Sequence, residues 1–177
     1  MTLGKKVAAG TARGCQIFGQ RPSAGQFTKR ATAGLLGDSW RTEVLAGDHR
    51  LIVDQPPALG GDDTGPNPGD LLRASLAACL VQGYAGHAER CGVDLQGLEV
   101  TVESDVDLRK AFGAESDAPA GFIAMRYTTT ITTDSPRECV QELHQLVQRI
   151  NATLDDLRRP LDVEGRLEVR PVKVKPA

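Results

Sequence analysis

Four thiols, Cys15, Cys79, Cys91 and Cys139, are the residues of this chain most able to do chemistry. A thiolate is a nucleophile and a metal ligand, and its surroundings decide whether it is either. No two of the four form a Cys-x-x-Cys pair, and His49, His87 and His144 are scattered. Structural zinc sites show clustered ligand spacing, so no metal is expected, and no cofactor motif is present. Asp62 and Asp63 are adjacent loop acids and read as solvated rather than as a cation site. Gly60-Gly61 is followed by no Gly-Lys-Ser/Thr step, so it is not a phosphate loop. His144 borders an apolar helical stripe and reads as a helix-edge residue. Cys79 stands apart. It lies in a run from Leu71 to Tyr84 whose only strong charge is Arg73. On a helix it shares a face with Leu72, Ser75, Leu76, Gln82 and Gly83. Such a cysteine is either a core filler or a sheltered thiol.

The element that must position Cys79 runs from Pro66 to Cys91 and reads as one long, largely buried helix. Asn67 is a suitable N-cap, Pro68 fits the first helical position, and Asp70 completes a capping box. Ala74, Ala77, Ala78, Gly83, Ala85 and Gly86 let another backbone come close. Gly92 is a C-terminal stop. Before the helix, Ser39–Ala46 and His49–Asp54 flank Gly47-Asp48 as a hairpin. The Gln55–Gly65 loop, rich in Pro and Gly, is a fixed turn structure. After it, Leu98, Val100 and Val102 alternate with polar residues, as do Ile123, Met125, Tyr127, Thr129 and Ile131. The two predicted strands pair as an antiparallel ribbon around an exposed excursion at 109–121. Ser135-Pro136-Arg137-Glu138 has the pattern of a capping box opening a second helix, with an apolar stripe from Cys139 to Ile150. That helix bends near Asn151, a short piece follows to Arg159, and Leu161–Val174 is a last extended strand. The order is α+β with mainly antiparallel sheet.

With 177 residues the chain is most simply one domain, 27–177, preceded by an arm, 1–26, that is mobile or swapped onto a partner. A net charge of -2 and 4% aromatic residues argue against nucleic-acid binding. No stretch is apolar enough for a bilayer, so no membrane is expected. Lys5 and Lys6 are not followed by an apolar leader segment. Unpaired thiols then fit a cytoplasmic protein.

The run H-R-L-I-V-D-Q-P-P-A-L-G-G-D-D-T-G-P-N-P-G-D-L-L-R-A-S-L-A-A-C, residues 49 to 79, resembles the OsmC/Ohr family, and most closely its OsmC-like branch. The element order extends the resemblance over roughly residues 27 to 175, marking the domain 27–177 as OsmC-like. It implies an intertwined homodimer in which sheets wrap two long central helices. It also implies thiol-dependent reduction of organic hydroperoxides. In such peroxidases a cysteine on the central helix attacks the peroxide, an arginine and a glutamate support it, and a second cysteine resolves the sulfenic acid.

Carried over residue by residue, the resemblance puts Cys79 at the attacking position and Asn151 where the second cysteine would stand. Gly69 replaces the glutamate after the Asn-Pro pair, and Asp70 matches the acidic position of the OsmC-like branch. Arg30, Arg41 and Arg50 are candidates for stabilising the thiolate. Cys91 and Cys139 cannot resolve Cys79, since each is 12 residues of helix, about 18 Å, from the relevant position. Three readings follow. The first is a peroxidase using Cys79 with an external thiol reductant. The second is a dimer that binds a small apolar or thiol-bearing ligand, which the Asn151 amide suits; Asp70, Ser75, Gln82 and Asn151 are candidate supporting residues for the site. The third is a protein in which Cys79 only packs.

Overall fold

The computed structural model describes residues 4–171. Five strands and four helices follow one another: α1 (Lys5–Gln20), β1 (Ala31–Leu35), β2 (Thr42–Ala46), β3 (His49–Val53), α2 (Pro68–His87), β4 (Gly97–Val106), β5 (Phe122–Thr132), α3 (Arg137–Ile150) and α4 (Ala152–Arg158). The class is α+β, with a three-stranded antiparallel sheet, β1-β2-β3, and a two-stranded ribbon, β4-β5.

α2 starts where its sequence says it should. The Asn67 side chain accepts from Asp70 N–H, the Asp70 carboxylate accepts from Asn67 N–H, and Pro68 occupies the first helical position. The α-helix ends at His87. A 3-10 turn, Glu89–Cys91, carries the chain to Gly92, which is left-handed at φ 69. Leu76, Leu80 and Tyr84 of α2 are fully buried with Leu95, Leu143 and Val147, and Leu98, Val100, Met125 and Tyr127 of the ribbon pack on them. The core is therefore a ribbon on one side of α2 and α3–α4 on the other. The expectation of a largely buried α2 holds for one face only, because Leu72, Ala74, Ser75, Ala78 and Gln82 are exposed.

The hairpin forms with Ala46 opposite His49 and Gly47 left-handed at φ 61, which suits a two-residue turn. β4 and β5 pair as expected, and a register irregularity at Asp105/Val106 shifts Ile123 to the exposed side. The loop after β3 folds around one side chain. Asp54 is 1% exposed and accepts from the N–H groups of Gln55, Asp62 and Thr64 and from the Thr64 hydroxyl. Its glycines serve close approach: a Cβ on Gly61 would lie 1.9 Å from the Gln55 carbonyl oxygen, and one on Gly65 2.2 Å from that of Ile52.

Two expectations are corrected. Ser135 does not cap α3. Its hydroxyl accepts from Asp94 N–H, and Pro136 takes the N-cap place with no side-chain bond. Residues 161–171 form no strand, since no neighbouring strand within the chain pairs with them, and a strand needs partners for its N–H and C=O groups. Residues 172–174 of that segment lie outside the described residues. Within the N-terminal arm, α1 lies against this chain's own α2. The contact is between small groups: Ala8 is buried, and Thr11 Oγ1 lies 2.6 Å from the position a Cβ on Gly86 would take. No helix among the described residues is long and apolar enough to cross a membrane.

Candidate functional site around Cys79

Cys79 is half-buried at the seam between the packed and the open arcs of α2. Ser75 and Gln82, one turn to either side, are exposed on the open arc, as the helical spacing requires. Gly83, four residues on, touches the α3–α4 junction: a Cβ there would lie 3.2 Å from Val147 and 3.5 Å from Asn151 Nδ2. Asn151 is thus brought within one helical turn of Cys79. It is buried, and its Oδ1 caps α4 by accepting from Leu154 N–H at 2.9 Å. The bend expected near Asn151 is this junction, where the residue leaves helical geometry at ψ 117.

Other sequence candidates are not gathered there. Nine residues of helix turn Asp70 about 180° from Cys79 and separate them by about 13 Å along the axis. Its carboxylate is committed to the Asn67 cap and to Arg73. Arg73 also donates to the Ser104 hydroxyl at 2.9 Å and lies over the Phe122 ring. Arg50 pairs with Glu43 at 2.8 Å across β2 and β3. Arg30 and Arg41 are exposed beside β1 and β2. The β1-β2-β3 sheet packs broadly against no helix of the same chain, so it carries none of the three arginines to Cys79. No cluster of three or more His, Cys, Asp or Glu suited to a metal occurs among the described residues.

A polar connection beneath the site was not legible in sequence. Tyr84 is fully buried, and its hydroxyl is 2.5 Å from His144 Nδ1. His144 Nε2 is 2.6 Å from Gln148 Nε2. With the Gln148 amide donating, the ring proton sits on Nδ1 and donates to Tyr84. The Tyr84 hydroxyl also lies near Thr129, whose Oγ1 is the one buried side-chain oxygen lacking a hydrogen-bond partner among the described residues. Burial pushes the Tyr84 hydroxyl above its ordinary 10, against the opposing effect of Thr129. His144 is therefore a polar pin between α2 and α3. Its partner lies 60 residues away, beyond the reach of periodicity.

Chemically, the chain offers a reachable thiol on a packed helix, hydroxyl and amide groups one turn away, and an amide in place of a second thiol. A family model described as OsmC-like protein matches residues 60–165. No curated protein matches the chain. Among solved structures, an OsmC-like protein from Mycoplasma pneumoniae superposes with a TM-score of 0.64 at 17% identity, covering 75% of this chain and 89% of that one. An organic hydroperoxide resistance protein from Legionella pneumophila gives 0.55 at 22% identity, over 75% and 90%. An OsmC-like protein of unknown function from Vibrio cholerae gives 0.57 at 9% identity, over 73% and 93%. At these identities the structures establish the shared fold.

Proposed function

The chain belongs to the family of OsmC-like proteins, and from that premise we propose that it is a homodimeric, cysteine-dependent peroxidase reducing organic hydroperoxides at Cys79, with an external thiol as reductant and the cytoplasm as its setting. The observation that carries this reading is the position of Cys79 on the seam of an uncovered helix face. The same chain leaves large apolar side chains open: Leu35 is 65% exposed, and Phe27, Trp40, Leu45, Leu51 and Leu72 are also exposed. In the final segment Val163 is 89% and Leu167 90% exposed. These open apolar groups support a reading in which a partner covers them. A second copy laid over α2 brings in a second central helix, excludes water from Cys79, and covers the three-stranded sheet. Its sheet is also the source of a cation, since Arg30 and Arg41 are unoccupied by ion pairs among the described residues.

In the proposed cycle the Cys79 thiolate attacks the terminal peroxide oxygen. The O–O bond breaks, an alcohol leaves after taking a proton, and Cys79 becomes a sulfenic acid. A small thiol then displaces water to form a mixed disulfide, and a second thiol releases the reduced enzyme and a small disulfide. Asn151 cannot form that bond, so the resolving sulfur comes from outside. The hydroperoxide resistance named for the Legionella pneumophila relative supports the substrate class.

A second reading is a non-redox dimer that binds a small apolar ligand. Asn151 favours it, since its amide group reaches toward the Cys79 turn and can hydrogen-bond but not exchange electrons. Consumption of cumene hydroperoxide with excess small dithiol separates the two. Turnover that is lost in Cys79→Ser supports the peroxidase; equal consumption by both proteins favours the ligand-binding reading. A single-chain mass by light scattering contradicts the dimer in either case.

A further inference from the structure

Cys91 and Cys139 have no part in the Cys79 chemistry, yet the fold brings them together. Cys91 closes the 3-10 turn after α2, and Cys139 is the third residue of α3. Both belong to one apolar cluster, Cys91 as a buried member and Cys139 packed against it. The approach is close: a Cβ on Gly92, the next residue after Cys91, would lie 3.8 Å from Cys139 Sγ. Both thiols are free.

We propose that Cys91 and Cys139 are a second, redox-sensitive thiol pair that closes to a disulfide by exchange with a low-molecular-weight disulfide and ties the start of α3 to the end of α2. The two sulfurs have different roles. Cys139 is half-buried in the first turn of α3 and is the more accessible of the two sulfurs. It is the entry point. Cys91 is only 7% exposed, and burial, Glu142 and Cys139 raise its thiol above the ordinary value while Arg90 opposes them. A sulfur so little exposed suits the resolving role.

The exchange balances without any other reactant. The Cys139 thiolate attacks one sulfur of the small disulfide, the S–S bond breaks, and a small thiol leaves with a proton. Cys91 gives up its proton and attacks Cys139 Sγ, and the second small thiol leaves. Two protein thiols are oxidised and one small disulfide is reduced. The closed bond pins the helix whose far end holds Asn151 against Gly83.

The test uses the full chain with Cys15→Ser and Cys79→Ser, so that its outcome is independent of the peroxidase reading. The protein is incubated with oxidised glutathione and followed by intact mass and peptide mapping. The expected product has lost two hydrogens, carries no glutathione, and yields a peptide joining Cys91 to Cys139. Adding Cys91→Ala, which keeps an apolar group in the cluster, should leave a stable glutathione adduct on Cys139. Adding Cys139→Ser should abolish reaction. Circular dichroism confirms that each variant is folded. A lasting adduct on Cys139 with Cys91 still present, or no reaction in a folded protein, overturns the proposal.

Discussion

Replacing Tyr84 by Phe isolates the buried polar pin between α2 and α3. The ring still fills its fully buried site, so the loss is that of the hydroxyl. Its partner His144 Nδ1, at 2.5 Å, is left in a half-buried place where water enters poorly. One lost hydrogen bond plus one poorly solvated ring nitrogen comes to about 1.5 kcal/mol. At about 2.1 cal/mol/K of unfolding entropy per residue, a chain of 177 residues loses about 4 °C in Tm for that change. Urea unfolding at one fixed protein concentration should show a lower midpoint with an unchanged slope. His144→Leu should cost a similar amount. The double variant should cost less than the sum, with a coupling of about 1 kcal/mol. A Tm within about 1 °C of wild type for Tyr84→Phe would refute the reasoning, since the pin would then contribute less than a net hydrogen bond.

Other outcomes follow from the same geometry. The Thr64 hydroxyl, with the Thr64, Gln55 and Asp62 N–H groups, holds the Asp54 carboxyl below its ordinary 3.8 against the effect of burial. A carboxyl lowered in the folded state adds stability above its unfolded pKa and loses it as pH falls through the folded one. Asp54→Asn should therefore flatten the acid limb of a stability–pH profile below about pH 4; an unchanged limb assigns acid unfolding to other carboxyls. Gly65→Ala places a Cβ 2.2 Å from the Ile52 carbonyl oxygen and should cost about 2–4 kcal/mol by chemical denaturation; a neutral result contradicts the tight loop. Closing Cys91 to Cys139 removes the freedom of a long loop, worth about 4 kcal/mol in the chain-entropy account. The oxidised protein should then melt about 10 °C higher by calorimetry; an unchanged or lower Tm shows that closure strains the fold.

Local rules carried much of the architecture. The Asn67–Asp70 cap, the Gly47-Asp48 hairpin, the β4–β5 ribbon and the bend at Asn151 all depend on neighbours within a few residues or on alternation, and all were legible. Ser135 shows where such rules stop. Its sequence matches a capping box, but Asp94 N–H offers a partner from another element and wins its hydroxyl. Tyr84–His144 is likewise a tertiary pairing with no local trace. The final segment reads as a strand because its residues alternate, yet nothing within the chain pairs with residues 161–171. For the site, helical spacing placed Ser75 and Gln82 beside Cys79, and the family resemblance put Asn151 where a second cysteine would stand. The same spacing could have excluded Asp70, which lies half a rotation round α2 from Cys79. The three arginines were legible only as types, since nothing local in the sequence says which side chains a separate sheet sets near α2.

The central claim is that Cys79 is a peroxide-reactive thiol, and its reaction with a bulky organic hydroperoxide tests it most directly. Reduced protein is mixed with cumene hydroperoxide and a sulfenic-acid trap and read by intact-mass spectrometry, with Cys79→Ser as the control. The account predicts rapid trapping of one adduct, mapped to Cys79 and lost in the variant. An intact dimer with Cys79 still reduced after prolonged exposure would contradict it.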